Sequence, residues 1–240
     1  MTMRLRKFLL FLLVLITGAG NVVAKTYIVC IGMQNYPDRV NDTYLCVRDA
    51  KTIQFLFKKN GNSETMLITD KRATRGNILR AMRQLFTKAT EHDAVAIFYS
   101  GHGDRGAICA YDGNLSYFDI WNVFKSTKAK RRFAFINACF SGTMRAEYDF
   151  SALQDKSMMF FMSSRSGEYS LEMPSMKNGL FTAYLQQGLR GSADTDLNKV
   201  ITARELFDYV SKKVAGVSDN KQHPVMWGRF SNDMPVIVWK

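Results

Sequence analysis

Asp93-Ala-Val-Ala-Ile-Phe-Tyr-Ser-Gly-His-Gly103 and Arg132-Phe-Ala-Phe-Ile-Asn-Ala-Cys-Phe-Ser-Gly142 are built alike. Each opens with an apolar run free of polar alternation and closes on small residues around one chemically active side chain. Short runs of this kind read as strands buried on both faces, which occur in parallel sheets covered by helices. The two stretches therefore predict neighbouring core strands, each delivering a His or a Cys into a glycine-flanked turn.

Outward from this pair the same alternation repeats. Lys25–Gly32 reads as an opening strand, and Leu45–Lys59 as an amphipathic helix stopped by Asn60-Gly61. Glu64–Thr69 is a further strand. Thr74 caps a helix carrying Ile78, Leu79, Met82 and Leu85. A minor extended segment at Ala107–Tyr111 and a helix at Ser116–Lys125 follow. Ser157–Ser163 is a fifth strand, helices fall at Gly179–Leu189 and Thr202–Val214, and Pro235–Trp239 closes the pattern as a sixth strand. Strands alternating with helices define an α/β chain with a mostly parallel six-stranded sheet and helices on both faces.

Composition bounds the answer without deciding it. The 240 residues are 47% hydrophobic and 22% charged, which excludes a disordered chain, and 16 Gly with 4 Pro exclude a collagen-like one. Residues 1–24 read as a secretory signal: Arg4, Arg6 and Lys7 precede the apolar run Phe8–Ile16, and Val22-Val-Ala24 supplies small residues for cleavage near Ala24. The run is shorter than the roughly 20 apolar residues a membrane span needs. The expected product is a secreted or periplasmic chain from Lys25 to Lys240, one domain with no membrane anchor after cleavage. Loss of the leader lowers the net charge from +12 to +9. The remaining excess lacks a basic run interleaved with aromatics, so no nucleic-acid partner is expected. A monomer is the working expectation.

Sites in open α/β sheets collect at the carboxyl ends of strands. A thiolate at one strand end is a strong nucleophile, and an imidazole at the next can take its proton and return it to a leaving amine. Backbone N–H groups beside them can bind the oxyanion. His102 and Cys139 are thus the candidate dyad. His92 and His223 lack such settings. Of the remaining cysteines, Cys30 lies in a core strand, and Cys46 and Cys109 are expected as free thiols. No metal is expected: no cysteine pair has zinc spacing, and Asp104, Asp112 and Asp119 are scattered singly.

Tyr99-Ser-Gly-His-Gly103 with Ala138-Cys-Phe-Ser-Gly142 resembles the caspase-like cysteine peptidases, nearest to their metacaspase and bacterial branch. The resemblance extends over most of the mature chain, through Tyr27–Gly32, Leu45-Cys-Val-Arg-Asp-Ala50, Ser163–Glu168 with Glu172, Asn178-Gly-Leu-Phe-Thr182, Gly188–Asp194, Thr202–Leu206 and His223-Pro224. It implies a caspase-like three-layer sandwich and an exported cysteine endopeptidase acting on proteins or peptides without a cofactor. It makes Cys139 the nucleophile and His102 the general base and acid, with the N–H groups of Gly103 and Cys139 as oxyanion hole. It also places Cys46, Asp49, Ser100 and Asn137 around the specificity pocket. Metacaspases carry Asp two residues before the nucleophile and prefer Lys or Arg. Here the residue is Asn137, which leaves Asp49 to pair with a cation. The polar stretch Thr143–Lys156, with Arg145 and Lys156, is either a self-cleavage loop or plain surface. The competing expectation is a caspase-like binding or scaffold module with little turnover. A phosphate-binding doubly wound domain would need a Gly-rich loop after a strand, and none is present.

Overall fold

A computed structural model describes residues 24–38, 43–139, 158–173 and 175–239. The leader and the Thr143–Lys156 stretch lie outside the described residues, the former except for Ala24. Among the described residues no helix is long and apolar enough to cross a membrane.

Three apolar runs that are neighbours in space form the centre of the sheet. β1 (Thr26–Gly32), β3 (Ala94–Ser100) and β7 (Arg131–Asn137) pair in parallel, with β2 (Ser63–Thr69) outside β1 and β8 (Met158–Met162) outside β7. All seven residues of β3 are buried, as expected of a strand with helices above and below. Alternate side chains enter two separate cores. Val29, Ile97, Ala134 and Phe160 face one that includes α2 (Arg75–Phe86) and α3 (Tyr117–Lys125). Cys30, Phe98, Phe135 and Phe161 face the other, which includes α1 (Cys46–Asn60), α4 (Leu180–Gln187) and α5 (Ala203–Val217). The result is the expected three-layer sandwich.

Local signals set the helix ends. The Thr74 and Ser116 side chains accept from the N–H groups of Asn77 and Asp119, and Gly61 closes α1 at φ 79°. Thr202 and Glu205 form a reciprocal capping box at the start of α5. The minor extended segment at 107–111 becomes β5 (Ala107–Ala110), the middle of a small antiparallel sheet with β4 (Gly103–Asp104) and β6 (Gly113–Ser116).

The sixth strand is corrected by the structure. Pro235–Trp239 does not join the main sheet; β11 (Pro235–Val238) pairs with β9 (Val200–Thr202) in a separate two-stranded ribbon. The sixth position is taken by β10 (Val225–Arg229), antiparallel to β8, giving the order β10-β8-β7-β3-β1-β2. β10 is a partly exposed edge strand interrupted by Gly228 at φ 130°, where an added Cβ would meet the Met158 carbonyl oxygen at 2.1 Å. It lacks the apolar run that marks a buried strand, and β8 alone supplies its ladder.

The register positions the functional region. Gly32, Ser100 and Asn137 stand level as paired last residues of β1, β3 and β7. The ladder runs one step further, with Met33 N–H donating to Ser100 O at 2.9 Å and Gly101 N–H to Asn137 O at 3.2 Å. The segments Met33–Tyr36, Gly101–Gly103 and Ala138–Cys139 therefore leave the sheet side by side.

Candidate active site

A cleft of about 290 Å³ opens at these strand ends. His102 and Cys139 both line it, together with Cys46, Asn137, Tyr44 and Glu172. The sequence places the two candidate reactive groups 37 positions apart; the level register of β3 and β7 brings them into one cleft.

The glycines around His102 serve close approach, and neither lies in the left-handed region of φ. A Cβ on Gly101 would meet the Tyr99 hydroxyl at 2.4 Å, and one on Gly103 would meet the Cys139 carbonyl oxygen at 2.5 Å. Gly-His-Gly thus packs the histidine turn directly against the segment carrying the cysteine.

Behind the cleft lies a buried polar cluster centred on Asp49, whose exposure is 0%. Its Oδ2 accepts from Ser100 Oγ (2.9 Å), Asn137 Nδ2 (3.0 Å) and Thr182 Oγ1 (3.0 Å). Its Oδ1 accepts from Asn178 Nδ2 (2.7 Å) and the Gly179 N–H (3.1 Å) at the start of α4. Burial pushes the Asp49 carboxyl above its ordinary range, against the pull of these donors. Asp49 is absent from the cleft lining; Asn137 and Cys46 stand there instead. Of the four residues expected around the specificity pocket, Asp49, Ser100 and Asn137 are hydrogen-bonded to one another. Cys46 is buried beside Asn137's cleft, its thiol pushed up to about 12 by burial.

Asp49 fixes which way the Asn137 amide faces. A carboxylate can only accept, so the NH₂ group of Asn137 points at it, and Nδ2 also lies 3.2 Å from Ser100 Oγ and Thr182 Oγ1. The carbonyl Oδ1 is buried and has no hydrogen-bond partner among the described residues. A buried acceptor left unpaired is costly, and in a cleft-lining residue it is a ready partner for a donor.

Glu172 is a lining residue that the sequence does not single out as part of the pocket. It is exposed, on the irregular segment after β8, and its Oε1 accepts from the Leu45 N–H at 3.3 Å. Partial burial pushes its carboxyl up; the Leu45 N–H opposes this, the Asp49 charge reinforces it, and His102 opposes it. The resemblance includes Glu172 without a pocket role, because that role depends on a loop that folds back over the start of α1. That loop is pinned. The Gln222 side chain bridges Ser163 O and Leu171 N–H, and the Glu168 carboxylate holds the His223 N–H and ring. His223, one of the two histidines without a strand-end setting, is thus a structural partner of Glu168.

All four cysteines are free. Asp194, Asp196 and Glu205 have ligand atoms within 4.8 Å of one another, and with Asn198 they follow the spacing of a calcium loop, although Lys199 (φ 66°) stands where that loop has Gly. Their oxygens already accept from N–H groups of Thr195, Asn198, Lys199 and Thr202, so the spacing alone assigns no ion.

A three-layer sandwich whose parallel strands end level at a cleft holding a cysteine and a histidine defines a caspase-like α/β domain. The sequence pattern of the caspase domain, a peptidase family, matches residues 25–234, and the chain belongs to that family. A crystal structure of a Geobacter sulfurreducens protein superposes with a TM-score of 0.69, covering 90% of this chain and 100% of that one at 15% identity. At that identity the likeness is one of fold. A Desulfuromonadales bacterium protein named "Probable protease" is 26% identical, the match covering 64% of this chain and 23% of the relative. The match therefore spans about a quarter of that relative's length. Family and fold together describe a peptidase-type domain.

Proposed function

We propose that this protein is an exported cysteine endopeptidase that cleaves peptide bonds after Lys or Arg, with Cys139 as nucleophile and His102 as its base and acid. The carrying observation is that His102 and Cys139, delivered by two paired parallel strands, line the same cleft. Export rests on the signal-like first 24 residues, and the family match beginning at residue 25 fits a mature domain starting there.

In this reading His102 takes the Cys139 thiol proton as the sulfur attacks the scissile carbonyl carbon. The carbonyl electrons move onto oxygen, which the Gly103 and Cys139 N–H groups stabilise. Collapse of the tetrahedral adduct breaks the C–N bond, and the imidazolium returns its proton to the departing amine. Water, deprotonated by His102, then attacks the thioester and releases the carboxylic acid product and the free thiol.

The preference for a basic residue is supported by Glu172, an acidic side chain on the cleft, and by Asn137, whose buried Oδ1 is an unpaired acceptor beneath the same lining. Asp49 contributes from behind, by orienting Asn137. This division answers the absence of Asp at position 137: the accessible negative charge comes from another element.

The test is hydrolysis of fluorogenic peptides ending in Arg or Lys before the reporter. Turnover should fall about 10³-fold or more in both Cys139→Ala and His102→Ala. Retained turnover in either variant overturns the dyad assignment.

A further inference from the structure

We infer that Tyr36 and Tyr99 are positioning residues for His102, one hydroxyl holding its N–H and the other its C=O. The inference rests on the reading of His102 as the base of the dyad, and adds to it the device that aims the base.

His102 stands between two glycines, so its own backbone is poorly restrained by local sterics. The restraint comes from outside the turn. The His102 N–H donates to the Tyr36 hydroxyl at 2.8 Å. The His102 carbonyl accepts from the Tyr99 hydroxyl at 2.7 Å and from the Cys109 N–H at 3.0 Å. The Tyr99 hydroxyl also lies 2.9 Å from Cys109 O, and the two phenolic oxygens are 3.5 Å apart. The Tyr36 ring packs on the imidazole itself, with centroids 5.0 Å apart at 43°. One side chain thus holds both the backbone and the ring of the candidate base.

Both tyrosines are buried, Tyr99 at 0% and Tyr36 at 9% exposure. Phenylalanine would fill the same core volume without carrying a hydroxyl into it, and a buried hydroxyl is costly unless partnered. Here the partners are the main chain of His102. Burial pushes both phenols well above their ordinary value, so each remains a neutral hydroxyl that can donate and accept.

The clamp is anchored in turn. The segment carrying Tyr36 is tied by Gln34 N–H and Asn35 N–H to Asp70 Oδ1, both at 2.9 Å, and by Thr43 Oγ1 to Met33 O at 3.0 Å. Tyr99 sits in the fully buried β3. One jaw hangs on the turn after β2 and the other on the central strand. Displacement of a catalytic group by about 1 Å can cost roughly 10²-fold in rate, which sets the scale of what the clamp controls.

The test uses Tyr36→Phe and Tyr99→Phe, which keep the rings and remove the hydroxyls. We expect kcat to fall roughly 10- to 100-fold with KM within about twofold of wild type. The second readout is the pH profile of Cys139 alkylation by iodoacetamide, followed by mass at the Cys139 peptide. In both variants the profile should move from that of wild type toward that of His102→Ala, because a misplaced imidazole no longer pairs with the thiol. A purely structural role would lower the folded fraction, measured by circular dichroism, without moving the profile of the folded protein. Activity loss that tracks only the folded fraction, or an unmoved profile, overturns the clamp. If His102→Ala itself leaves turnover and alkylation unchanged, the dyad reading fails instead, so the two failures are separable.

Discussion

Glu172 and Asp49 are two carboxyl groups with opposite surroundings. Asp49 is enclosed by five donors and faces the fold, whereas Glu172 lies on the cleft with a single backbone donor. Pairing with a substrate cation needs Glu172 ionised, and burial pushes its carboxyl above the ordinary 4.5. The pairing is therefore present above that raised value and lost as pH falls through it. We expect KM for Arg and Lys peptides to rise on acidification sooner than an ordinary glutamate would allow, measured as KM against pH. Glu172→Gln should raise KM about tenfold at neutral pH, the low end for a charged hydrogen bond because the site is exposed, and should flatten that pH dependence. Gly103 acts at the same scale through space alone. A Cβ there meets backbone, so Gly103→Ala should lower kcat roughly 10²-fold while thermal melting shows a folded protein.

Among the elements, those with strong local signals needed little help from their neighbours. α2 begins where Thr74 caps it, α3 where Ser116 does, and α5 where Thr202 and Glu205 close a capping box. Thr202→Ala removes one partner of that box and should cost about 1 kcal/mol, seen as a Tm drop of about 2–4 °C. The Glu205 carboxylate also receives Thr195, so the cap ties α5 to the loop before β9. β10 and β11 had no such autonomy. Pro235–Val238 is the more apolar stretch and was the natural candidate for the sheet, yet Val225–Arg229 took the edge of β8. An edge position asks only for a ladder partner, which a sequence window does not contain.

Across the whole molecule the carboxyl groups divide by sign. Backbone and side-chain donors hold Asp93, Glu168 and Glu205 below their ordinary values in spite of burial, which pushes the other way. Each stabilises the fold fully above the unfolded value, 3.8 for Asp and 4.5 for Glu, and loses that contribution as pH falls through its lowered folded value. Asp49 and Glu172, pushed up, contribute in the opposite sense: stability from them declines as pH rises from the ordinary value to the raised one. With three groups held down at structural ties, the urea midpoint should fall below about pH 4.5, measured by fluorescence between pH 7 and 3. An unchanged midpoint at pH 3 would show that these ties carry no net weight. The ties include Asp93 with Lys25 N–H, at the first residues of the family match, and Glu168 with His223, behind the cleft wall.

The sequence alone determined the layers, five of the six sheet strands and the two candidate reactive side chains. These follow from apolar runs, caps and glycine-flanked strand ends, all read within about a dozen residues. It also carried the resemblance that named Asp49 and Asn137 together. Only the tertiary structure decided how those residues share the work. Asp49 is drawn behind the cleft because Ser100 on β3, Asn137 on β7, and Asn178, Gly179 and Thr182 at the start of α4 converge on it from three segments, and Asn137 is turned by it. Glu172 and Tyr36 reach the site on irregular loops with no periodic signal, held there by Leu45, Asp70 and the His102 main chain. Periodicity records which face of an element is dry; it does not record which distant groups will meet at the end of a strand.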